Sequence, residues 1–134
     1  MEITNYVDYI KEQLKEFTGK NDLKWKQENL GSLILENKKI SLEFRTEYRV
    51  SNAISIAFTN KAEEEDYNIL DVMKAKGFDG TTSYMSQSEI ETLNAITDPI
   101  KRIIYRLAIF IRKHCQDVMS GDFSAVGEDP AYNL

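Results

Sequence analysis

A single cysteine in 134 residues excludes an internal disulfide framework, so nothing in the chain asks for an oxidising compartment. A single histidine excludes H-E-x-x-H, multi-histidine metal centres and two-cysteine, two-histidine fingers. Two prolines and six glycines are too few for a collagenous or linker-like chain. Basic side chains are in deficit, 17 Lys and Arg against 22 Asp and Glu, for a formal net charge of −5. That balance argues against nucleic acid or anionic lipid as the main partner, because both are held by clustered Lys and Arg. No uninterrupted apolar run is present either. Residues 100–119, the richest stretch, carry Lys101, Arg102, Arg106, Arg112 and Lys113, so they do not read as a membrane span. Residues 1–6 have neither a basic n-region nor an apolar h-region, and a cytoplasmic protein is expected.

What is there is an ordinary globular composition, 42% hydrophobic and 29% charged, at a length that suits one domain. The spacing of Ile3, Tyr6, Val7, Ile10, Leu14 and Phe17 predicts an amphipathic helix over 3–18, with Gly19 as its stop. The period then drops to two. Leu23 and Trp25, the run 32–36, Ile40 with Leu42 and Phe44, and Ile54 with Ile56 and Phe58 predict four strands. Asn29-Leu30-Gly31 and Asn37-Lys38-Lys39 read as turns, whereas residues 46–50 either continue the third strand or make a wide turn.

An acidic loop, Lys61-Ala62-Glu63-Glu64-Glu65-Asp66, is expected to lead into a helix begun at Tyr67 and carrying Leu70, Val72 and Met73. A polar loop follows around Phe78 and Tyr84. Ser86 with Glu89, or Ser88 with Glu91, offers a capping box, and Asp98-Pro99 restarts the chain as cap and first helical residue. The stripe Ile100, Ile103, Ile104, Leu107, Ile111, Cys115 and Val118, widened by Tyr105, Ala108, Ile109 and Phe110, predicts a long helix over 99–119 covered on more than one side. Gly121 is its stop, Phe123 folds back on its end, and the tail 127–134 is expected to fray. The fold class expected is α+β. An antiparallel sheet of about four strands carries an N-terminal helix and C-terminal helices on one face, in a single domain over 1–126.

Chemistry is sparse. His114 and Cys115 are adjacent on the helix, where neighbours point about 100° apart, so they do not form a nucleophile–base pair. Both read as structural. Glu63, Glu64, Glu65 and Asp66 form a contiguous polar run, whereas catalytic acids need partial burial, and their spacing does not match a calcium loop. No phosphate loop, dinucleotide fingerprint or nucleophile elbow occurs. Trp25, Phe44 and Tyr48 lie beside Lys24, Lys26, Arg45 and Arg49, but Glu28, Glu43 and Glu47 neutralise that stretch. The sequence therefore assigns no catalytic residue, no metal ligand and no cofactor.

Charge placement says more. Residues 1–59 hold nine acids and nine bases, residues 60–98 nine acids and three bases, and residues 99–134 four acids and five bases. The excess negative charge falls between the last predicted strand and the long helix, where it serves solubility or steers a basic protein partner. The candidate partner-binding residues are Glu63, Glu64, Glu65, Asp66 and the neighbouring Tyr67.

The stretch Cys115-Gln116-Asp117-Val118-Met119-Ser120-Gly121-Asp122-Phe123-Ser124 resembles the closing helix and Gly-Asp-Phe-Ser turn of small bacterial immunity proteins. The resemblance implies an immunity protein of a contact-dependent or polymorphic toxin system. Such a protein binds a cognate toxin domain, here a basic one and plausibly a nuclease, and blocks it without turnover. Gly121 and Phe123 are structural in that reading. A small regulatory or adaptor domain, and an enzyme with an unrecognised site, are the alternatives.

Overall fold

In the computed structural model, residues 2–46, 54–78 and 82–126 are described. The continuation at 47–50, Asp79-Gly80 and the tail 127–134, on which the sequence reading also spoke, lie outside them. The architecture is α+β. Five antiparallel strands, β1 (Lys24–Asn29), β2 (Ser32–Glu36), β3 (Ile40–Thr46), β4 (Ile54–Asn60) and β5 (Glu65–Asn68), pair strictly in chain order. The helices are α1 (Val7–Gln13), α2 (Ile69–Ala75), α3 (Gln87–Ala95), α4 (Pro99–His114) and α5 (Gln116–Met119).

The meander follows from alternation. In β3, Ile40, Leu42, Phe44 and Thr46 are buried while Ser41, Glu43 and Arg45 are not, and Leu33, Leu35, Ile56 and Phe58 continue the same face. Register aligns Trp25, Leu35, Leu42, Phe58 and Tyr67 in one row across all five strands. Tight turns hold that register. Gly31 accepts close approach, since a Cβ there would lie 3.1 Å from Thr46 Oγ1. Asn37 Oδ1 accepts from the backbone N–H groups of Lys39 and Ile40 at 2.7 and 2.9 Å, closing the β2–β3 turn.

The fifth strand is one more than the alternation predicts. Glu65-Asp66-Tyr67-Asn68 is poor strand sequence, and only Tyr67 faces the core; pairing with β4 imposes the extended form. The helix expected from Tyr67 therefore starts at Ile69, capped by Asn68 Oδ1 accepting from Leu70 N–H at 2.9 Å.

Two predicted helices are real but broken. The first is a 3-10 turn (Ile3–Tyr6), α1, and a second 3-10 turn (Lys15–Phe17); helical structure ends just before Gly19, and left-handed Asn21 and Asp22 follow. The last divides at Cys115, with α5 completing it. Its stop is as expected. Gly121 adopts φ +98°, with Gly121 N–H donating to Val118 O and Asp122 N–H to Asp117 O at 3.0 and 2.8 Å.

The core lies between the apolar sheet face and α4, whose Ile100, Ile104 and unbroken 107–111 run are buried. Asp98 caps α4 by accepting from Ile100 and Lys101 N–H, with Tyr6 Oη also donating to it at 3.2 Å. Ser86 and Glu89 form the capping box of α3. Leu107 is buried in this layer at 4% exposure. Leu107→Ala is expected to cost about 2–5 kcal/mol through lost transfer energy and a cavity. Urea unfolding measures it, and a change below about 1 kcal/mol would place Leu107 outside the core.

Candidate functional site

The acidic segment is a β-hairpin rather than a loop before a helix. Asn60 pairs with Glu65, residues 61–64 make the turn, and Glu64 takes a left-handed φ of +53°. Glu65 and Asp66 therefore lie on β5, at one edge of the sheet, while Glu63 and Glu64 occupy the turn. All four acids are exposed.

Their surroundings differ. Asp66 accepts from Thr59 Oγ1, its cross-strand partner, at 2.6 Å. Glu65 accepts from Tyr67 Oη at 2.6 Å, and that bond, with burial, pushes the Tyr67 phenol up to about 12. The Tyr67 ring stacks on Phe123 with centroids 5.4 Å apart and planes at 25°, so it is half committed to the core. Phe123, expected on the end of the last helix, stacks on the edge strand. Glu63 and Glu64 make no ion pair among the described residues. The structure thus brings the five predicted residues onto one hairpin but leaves only Glu63 and Glu64 without a local bond.

Beside them stands a residue that periodicity assigned to the helix's apolar set. Ile69, Val72 and Met73 bury the inner face of α2, which packs on β4 and β5, whereas Leu70 is 56% exposed. The signal was available, because Leu70 falls off the three-and-four spacing that links Ile69 to Val72 and Met73.

Charge blocks along the chain are not blocks in space. Lys61 lies in the hairpin turn, yet its Nζ bonds Glu36 Oε2 at 3.1 Å and Asn37 O at 2.7 Å, and its N–H bonds Lys39 O. Lysines of the β2–β3 turn therefore border the acidic hairpin. On α4, Arg102 donates to Leu93 O at the end of α3, Arg112 to Gln13 O at the end of α1, and Lys113 to Glu89 and Tyr84 O. These cations close neighbouring helix ends.

His114 and Cys115 sit in different environments. Cys115 is fully buried, and burial pushes its thiol up to about 12, which suppresses the thiolate. The His114 ring lies among Phe78, Phe110 and Tyr84, with centroids 4.6, 5.6 and 6.4 Å away. Asp117, one turn on, pairs with Lys76 at 2.8 Å. Burial first, then Lys76 and Lys113, holds the imidazole below its ordinary 6.5.

Among the described residues, no group of three or more His, Cys, Asp or Glu is placed to hold a metal ion, and no helix is long and apolar enough to cross a membrane. The chain matches no protein-family model, no curated protein and no solved structure.

A histidine with a depressed folded value binds protons more readily when unfolded. Its contribution is complete above the unfolded value and is lost as pH falls through the folded one. Stability should therefore decline over the interval below about pH 6.5, where the unfolded imidazole takes up its proton. Denaturant midpoints across that interval test this, and His114→Phe, which keeps the aromatic cluster, should flatten the slope. An unchanged slope in the variant would assign the decline elsewhere.

Proposed function

We propose that the protein is an immunity protein, which neutralises a cognate bacterial toxin domain by stoichiometric binding without turnover. The observation that carries the reading is the hairpin: four exposed acids on an edge strand and its turn, followed four residues later by an exposed leucine. Long-range attraction by Glu63, Glu64, Glu65 and Asp66 would steer a cationic domain toward β5, and a nuclease surface shaped to hold phosphates has that charge. Leu70 supplies the apolar anchor that charges alone lack, since interface energy concentrates in a few desolvated side chains ringed by polar ones. The resemblance of residues 115–124 to the closing segment of immunity proteins points the same way. An adaptor domain would use the same surface for a different cationic partner, and the toxin gene expected beside this one separates the two readings.

The two parts of the surface should act on different rate constants. Replacing Glu63 and Glu64 by Gln, which breaks no bond within the hairpin, should slow association with the neighbouring gene's toxin domain and reduce its salt dependence. Leu70→Ser should instead speed dissociation about tenfold or more, given roughly 1.5–3 kcal/mol for a buried leucine. Surface-binding kinetics at low and physiological salt measure both. Wild-type rates and salt slopes in both variants would remove the hairpin from the interface.

A further inference from the structure

On the other side of Lys61 from the acidic hairpin, an open cleft of about 810 Å³ runs between the start of β1 and the β2–β3 turn. We propose that this cleft binds the di- or triphosphate group of a small molecule. Its walls carry Lys24, Lys26, Lys38, Lys39 and Lys61, five of the chain's 17 cations, together with the only tryptophan, Trp25. Two acids also line it, Asp22 and Glu36, and Glu36 is already bonded to Lys61. Lys26 pairs with Glu28 along the edge strand β1 at 3.1 Å. Lys24, Lys38 and Lys39 have no ion pair among the described residues.

Three lysines without an ion pair lining one cleft, in a protein of net charge −5, suit a compact ligand with several negative charges. A diphosphate or triphosphate has that charge within a few ångströms, and ammonium groups bind it as point charges without the planar fork a carboxylate partner favours. The supporting turn is held before any ligand arrives. Asn37 donates from Nδ2 to Asn21 O at 2.6 Å and accepts from two backbone N–H groups, while Lys61 bonds Asn37 O. The Lys39 stem lies under Gly121, where a Cβ would stand 3.2 Å from Lys39 Cδ, so this lysine's stem is packed. Trp25 is half-buried and tilted on Phe44, with centroids 6.5 Å apart, and forms an aromatic wall beside the lysines. This site does not depend on the toxin reading, because its three lysines without an ion pair, Lys24, Lys38 and Lys39, lie outside the acidic hairpin.

Trp25 is the built-in reporter. Pyrophosphate, ADP, adenosine and citrate are titrated into the full chain at constant ionic strength while tryptophan fluorescence is followed. A saturable change with pyrophosphate and ADP, absent with adenosine and weaker with citrate, is expected. Lys24→Gln, Lys38→Gln, Lys39→Gln together should weaken it about tenfold or more, as loss of charge-assisted contacts requires. Because Lys39 also packs on Gly121, the Lys24→Gln, Lys38→Gln double variant, checked by thermal melting, should show an intermediate loss. A tighter response to ADP than to pyrophosphate would add Trp25 stacking to the same site. No saturable change, equal responses to citrate and pyrophosphate, or unaltered binding in both folded variants would overturn the assignment.

Discussion

An antiparallel sheet with one apolar face has to lose that face to something equally apolar and long enough to cover it, and α4 meets the requirement. Its buried run from Leu107 to Ile111 leaves no solvent side at mid-helix, so it must be enclosed by the sheet and by neighbouring helices. The rest of the structure follows from that enclosure. α1, α3 and α5 pack against α4, and Phe110 anchors the aromatic group that holds His114. On the second face of the sheet Glu43 is bonded to both Ser32 and Arg45, and of these three Ser32 is buried and Arg45 exposed.

Much of this was legible because burial and periodicity coincide. Ile40, Leu42 and Phe44 alternate cleanly, and Asp98-Pro99 and Gly121 are strong local signals acting where the chain needs them. Illegible elements had their shape imposed by neighbours. Glu65-Asp66-Tyr67-Asn68 becomes a strand because β4 offers it unpaired backbone groups, against the preference of three of its four residues. The chain reverses at Asn21 and Asp22, one of them bonded through its carbonyl to Asn37, a contact sixteen residues away that no local pattern reports. The candidate site was half legible. The acids were visible as a run, but the exposure of Leu70 and the convergence of Lys24, Lys38 and Lys39 depend on strand register.

Charge therefore has two roles here. Arg102, Arg112, Lys113 and Lys76 satisfy carbonyls or carboxylates at element ends, and partners within the fold fix their geometry. Among the described residues that make no ion pair are Glu63 and Glu64 in the β4–β5 turn and Lys24, Lys38 and Lys39 on the β1 and β2–β3 side. Lys61 divides the two groups by bonding toward the lysine side. Two surfaces of opposite sign can coexist at close range because this cation is neutralised by Glu36 and does not reach the hairpin acids.

The stacking of Tyr67 on Phe123 links the outermost strand to a residue encountered more than fifty positions later in the chain. During synthesis β5 can pair with β4 long before Phe123 exists to pin it. In that interval the sheet has a free border that other nascent chains can join. Glu63, Glu64, Glu65 and Asp66 stand along that border, and their mutual repulsion keeps a second copy's β5 from docking there. An edge strand lined with like charges is poorly suited to pairing with a second copy, and this holds from the moment β5 is made, independently of Phe123.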